Sequence, residues 1–153
     1  MAKAGDNSKK ELIAALNGVL ADTYALYFKT KNFHWHVAGP RFRDLHLMFD
    51  EQAQQLFGTV DIIAERARKQ DGDTLTSIGS IAKHTKIKDQ DSTSIGPDKM
   101  VNELKADNET LHERLETLKD AAEAANDNAT SALVDEWIDA CEERIWFLRQ
   151  TAK

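Results

Sequence analysis

The chain has 153 residues, enough for one compact domain with a real core and too few for two. Apolar residues make up 41% and charged residues 30%, which excludes a disordered chain, and a formal net charge of −6 argues against general attraction to nucleic acid. The single cysteine, Cys141, excludes an intrachain disulfide framework and fits a reducing compartment.

No apolar run approaches ~20 residues, and the opening MAKAGDNSKK lacks a signal-peptide core, so a cytoplasmic protein with no membrane partner is expected. Residues 1–7 read as a mobile polar tail and residues 8–153 as one domain. From Ser8 the pattern turns helical, with Leu12, Ile13, Leu16, Val19, Leu20, Tyr24, Tyr27 and Phe28 recurring at spacings of three and four. Ser8 followed by Glu11 predicts a capping box. This first helix runs to about Trp35, before the Gly39-Pro40 break.

The second helix is predicted over Arg41 to Gln70, with Leu45, Phe49, Leu56, Val60 and Ile63 as its inward stripe and Asp71-Gly72-Asp73 as its stop. Residues 71–97 form a long connection, in which Ser77 to Ala82 suits a short helix. Pro97 opens a third long helix with a near-heptad pattern at Val101, Leu104, Leu111, Leu115, Leu118 and Ala122. After Asn126-Asp127-Asn128, a fourth is marked by Leu133, Val134, Trp137, Cys141, Ile145 and Leu148; Cys141 and Trp146 are both read as core.

Four helices of ~25 residues, each ~35–45 Å long, make a four-helix bundle. Only the connection between the second and third is long enough to return along the bundle. The fold expected is therefore all-α: a ferritin-like four-helix bundle with a long crossover carrying a short helix.

Chemistry concentrates in the second helix. His46 and Asp50 are four residues apart, as are Asp61 and Glu65, so each pair projects from one face of adjacent turns. Imidazole with carboxylate suits iron, and also zinc or manganese. Asp50 and Asp61 are eleven residues apart and share a face, yet stand about 16 Å apart along the axis. One metal cannot touch both in one chain. An inverted second copy, related by a twofold axis near Gln55 and Leu56, brings His46 and Asp50 of one chain against Asp61 and Glu65 of the other. Two equivalent sites about 22 Å apart result, and His34 offers a further imidazole from the chain that provides His46. The bland alternative is a solvated face whose acids pair with Arg66 and Arg68.

The residues His34-Trp35, Gly39, His46, Asp50, Asp61 and Glu65, within KNFHWHVAGPRFRDLHLMFDEQ and VDIIAERA, closely resemble the Dps family, the ferritin-like DNA-protecting proteins of starved bacteria. The resemblance spans about Ser8 to Gln150 and includes the ending Ile145-Trp146-Phe147-Leu148. It implies a hollow homo-dodecamer built from twofold dimers, with His34, His46 and Asp50 from one subunit and Asp61 and Glu65 from its mate. It implies ferroxidase activity: Fe(II) oxidised at a di-iron site, preferentially by hydrogen peroxide, with the ferric mineral stored inside. Trp35 is a candidate trap for stray oxidising equivalents, with simple packing as the alternative. His36 stands where the family often has asparagine, and a surface or interface role is expected of it.

The resemblance also raises DNA binding and a nucleoid association, for which Lys3, Lys9 and Lys10 are the candidate contacts. They exceed Asp6 by only two charges in residues 1–10, and the reading leans against DNA binding. Family pores lie near the start of the last helix; Ala132 stands where many relatives have aspartate, leaving Asp127, Asp135 and Glu136 as pore candidates. Two rivals remain. One is a non-enzymatic nucleoid protein with a vestigial metal site. The other is an in-bundle di-iron enzyme using Glu109 and His112, a Glu-x-x-His motif with no second copy suitably placed. His84 has no partner at chelating spacing.

Overall fold

The computed structural model describes residues 5–153. Its elements in chain order are α1 (Asp6–His36), α2 (Phe42–Lys69), α3 (Ile78–His84), α4 (Pro97–Ala124) and α5 (Asn128–Thr151). No strand occurs among the described residues. The four long helices form the bundle and α3 rides in the crossover, which is the ferritin-like architecture predicted. α1 packs along α2 and α4, α4 packs along α5, and α2 and α5 touch only lightly.

Helix ends follow local chemistry. Gly5 is the N-cap of α1 and makes no side-chain cap bond, so the predicted Ser8–Glu11 box does not form. Ser8 already lies inside the first turn, its N–H donating to the Gly5 carbonyl at 3.0 Å. Lys9 and Lys10 are therefore exposed on helix, and Lys3 lies outside the described residues. Pro97 opens α4, where its missing N–H has no partner to lose. α2 and α4 close in the same way: Asp71 (φ 61°) and Asn126 (φ 56°) turn left-handed, and the Gly72 and Asp127 amides reach back to Ala67 and Ala122 carbonyls at 3.0 and 2.9 Å. Gly39 carries φ 110° between α1 and α2, a conformation that side chains rarely adopt. That tight turn lays the end of α1 beside the start of α2.

Much of the core comes from the predicted stripes, with Leu12, Leu16, Phe49, Leu56, Ile63, Leu104, Leu111, Leu115, Leu118, Val134 and Leu148 all buried, but Phe28 is 58% exposed and Phe33, outside the predicted pattern, is buried. Cys141 is buried as expected, but Trp146 is 50% exposed and is not core. Along α5 the buried positions run Trp137, Cys141, Arg144, Leu148. Arginine, rather than Ile145 or Trp146, takes the inward slot.

The crossover is held by a polar clasp. Buried Asp22 accepts from the Thr85 hydroxyl (2.8 Å) and the Lys86 amide (2.7 Å) and pairs with Arg114 Nε (2.9 Å). Lys29 pairs with Asp107 (2.8 Å) and donates to the Lys88 carbonyl (2.8 Å). At the head of α5, buried Asp127 accepts from the Thr130 amide (3.1 Å) and pairs with Arg66 at 2.8 and 3.0 Å. Asp127 is thus a structural cap rather than a free pore acid. Asp135 pairs with Lys119 at 2.8 Å, and Glu136 is exposed.

Candidate metal site

The Gly39 turn brings His34 of α1 against His46 of α2. Their rings stack with centroids 3.8 Å apart and an interplanar angle of 15°. Each Nδ1 contacts the other residue's backbone carbonyl, at 2.6 Å for His34 and 2.7 Å for His46. A carbonyl only accepts, so each Nδ1 carries a proton and, in the neutral imidazole, Nε2 is the nitrogen left to bind a metal. This fixes tautomer and ring orientation as outer partners do at metal centres. Phe42 stacks on His46 at 4.9 Å.

Asp50 lies one turn beyond His46, with Oδ1 3.9 Å from His34 Nε2. The Lys31 ammonium sits 2.8 Å from the same oxygen, and the Gln54 amide donates to Oδ2 at 2.8 Å. The hydrogen bond from Lys31 holds the carboxyl below its ordinary pKa, against a smaller opposing push from burial. Asp50 is therefore a carboxylate at neutral pH. Lys31 escaped sequence reading although it stands three residues before His34, on the same helical face.

Asp61 and Glu65 are exposed farther along α2 and form no hydrogen bond or ion pair among the described residues. Their bland partners are committed elsewhere: Arg66 to Asp127 and Arg68 to Asp73 (3.3 Å) and the Gly72 carbonyl (2.9 Å). The structure thus gathers His34, His46 and Asp50 and leaves Asp61 and Glu65 apart, about 16 Å along the helix from Asp50 to Asp61. Among the described residues no group of three or more His, Cys, Asp or Glu lies close enough to hold a metal within one chain.

At 100° per residue, Asp50, Gln54, Phe57 and Asp61 share one face of α2, with Gly58 at its edge. Phe57 is 53% exposed there, and nothing lies within 4 Å of where a Gly58 Cβ would stand. Exposed Phe28 and Trp35 meet edge to face at 6.0 Å on α1.

The remaining candidates lie elsewhere. His36 is exposed and contacts Asn32. His112 pairs with Glu142 (3.1 Å) and Glu116 (3.6 Å), and Glu109 with Lys105 (3.5 Å), on the outside of α4 and α5 rather than inside the bundle. The His84 imidazole contacts the Ser80 carbonyl, and its own carbonyl accepts from Arg114. Burial pushes the Cys141 thiol up to about 11, so it stays protonated and unreactive.

The model of the ferritin-like domain family matches residues 13–153. A DNA protection during starvation protein of Brevibacillus brevis is 31% identical over 142 residues, covering 92% of this chain and 95% of that one. Among solved structures, Dps from Thermosynechococcus elongatus superposes with a TM-score of 0.93 at 26% identity, over 96% of this chain and 93% of that one. A Dps protein from Vibrio cholerae O1, described as belonging to a broad superfamily of ferritin-like diiron-carboxylate proteins, gives 0.91 at 26% identity, over 100% and 99%. With nearly its whole length matched in sequence and in fold, this chain belongs to the Dps family of ferritin-like proteins.

Proposed function

We propose that this chain oxidises Fe(II) and stores the ferric product within a hollow assembly of twelve copies, each oxidation site being completed by two chains. The split ligand set carries the reading. His34 and His46, oriented by their Nδ1 contacts to backbone carbonyls, and Asp50 form one half; Asp61 and Glu65 on α2, without a partner among the described residues, form the other. An inverted second α2 joins the halves.

Mixed imidazole and carboxylate ligation suits iron, and few protein ligands leave positions open for peroxide. Two Fe(II) ions each give one electron to hydrogen peroxide; its O–O bond breaks, leaving two hydroxide ions and two Fe(III). Transfer of both electrons together avoids hydroxyl radical. Exposed Trp35, beside His34, suits interception of any stray oxidising equivalent. Lys31, 2.8 Å from Asp50 Oδ1, competes with Fe(II) for that oxygen.

Anaerobic protein given Fe(II) and then peroxide should show a rapid ferric absorbance rise, faster than with dioxygen and with no hydroxyl-radical adduct. A rise no faster than that of Fe(II) in buffer overturns the reading. A DNA role is a separate proposal: Lys9 and Lys10 are exposed, but the net charge of −6 stands against it.

Gly58 tests the dimer geometry. Glycine inside a helix costs about 1 kcal/mol relative to alanine, and close passage of a second α2 accounts for it here. Gly58→Arg is expected to leave the helical signal intact and to abolish both the dimer and iron oxidation, as read by native mass and ferric absorbance.

A further inference from the structure

Arg144 lies in the second half of α5 and is only 5% exposed. Its Nε donates to Asn108 Oδ1 at 2.9 Å, and no carboxylate stands within 4.0 Å of it among the described residues. The other buried cations are matched: Lys29 with Asp107 and Glu103, Arg66 with Asp127. Cys141, beside Arg144, is a neutral thiol and supplies no counter-charge. Glu143 is exposed to solvent and the weakest of the groups acting on Arg144. The thiol is a second hydrogen-bond partner of the guanidinium but a neutral one, and burying a charge without a counter-charge is costly.

Arg144 lines a cavity of about 30 Å³ to which all four long helices contribute, at a level where α2 and α5 touch only lightly. Thr23, Gln55 and Thr59 line it on one side, Trp137 and Ala140 on the other. Thr23 and Gln55 are the lining residues that carry further side-chain donors. A single water needs roughly 10–15 Å³, so the space suits a monatomic ion better than a bulkier oxyanion. Gln55 lies about 120° around α2 from Asp61, so this space is separate from the iron-binding face.

We propose that this cavity binds one small anion of halide size, physiologically chloride, which neutralises Arg144 and ties α5 to α2. The site stands on the geometry of the bundle and does not depend on iron chemistry. Any anion that binds only the folded chain stabilises it by mass action.

Crystals of the full chain with bromide replacing chloride should show an anomalous peak within hydrogen-bonding reach of the Arg144 guanidinium. Replacing gluconate by bromide or chloride at constant ionic strength should raise Tm by a few degrees, and Arg144→Met should lose that shift. The bromide experiment uses the native chain and decides the matter even if the variant fails to fold. Water alone in the cavity, or a carboxylate from another copy seated on Arg144, overturns the proposal. So does an equal halide response in a folded Arg144→Met.

Discussion

Asp61→Ala is expected to lower the rate of Fe(II) oxidation at least about a hundredfold, since even outer partners of metal ligands are worth 10–100-fold, while thermal stability stays unchanged. Asp61 is exposed and bonds to nothing within the described part of its own chain, so its removal strands no buried group. If it were an ordinary solvated acid, the substitution would be silent. His46→Ala should also abolish oxidation but is less clean, because it breaks the stack with His34 and the paired contacts to backbone carbonyls. Stopped-flow ferric absorbance, with denaturation run alongside, separates lost chemistry from lost fold.

The second large effect is on stability. Asp127→Ala is expected to destabilise the chain by about 3–5 kcal/mol through the stranded Arg66 guanidinium, with about 1 kcal/mol more from the lost α5 cap. Urea denaturation measures it. Burial pushes the Asp127 carboxyl up, but hydrogen bonds from Thr130 and Arg66 outweigh burial and hold it below its ordinary value. A carboxyl depressed in the folded state stabilises the fold above its unfolded pKa, and the gain is lost as pH falls through the folded value. The gap between wild type and Asp127→Ala should therefore be full at pH 7 and begin to shrink below about pH 4. A gap independent of pH would contradict the charged pair.

The bundle was legible because its signals are local: apolar spacing, Pro97 at a helix start and the Asp71-Gly72 stop all act within a turn. Ser8 misled because Gly5 opens the helix earlier without a side-chain cap. Trp146 misled because α5 assigns its inward slot to Arg144, which no apolar pattern selects. The separation of His46 and Asp50 from Asp61 and Glu65 follows from residue numbers along one rigid helix, whereas His34 joins the first pair from α1. The contacts that condition these residues do not follow in that way. Lys31 on Asp50, Arg66 on Asp127 and the imidazole–carbonyl pairs join separate helices, and charge types alone do not say which partner a side chain will find. Asp127 looked free for a pore for that reason.

Mixing variants tests the shared site most directly. Asp50→Ala and Asp61→Ala chains, each inactive alone, are unfolded together in equal amounts and reassembled. Random pairing makes half the dimers mixed, and each mixed dimer regains one intact site of two, so about a quarter of wild-type oxidation should return. No recovery from properly reassembled mixed dimers, or full activity in either variant alone, would contradict a site built from two chains.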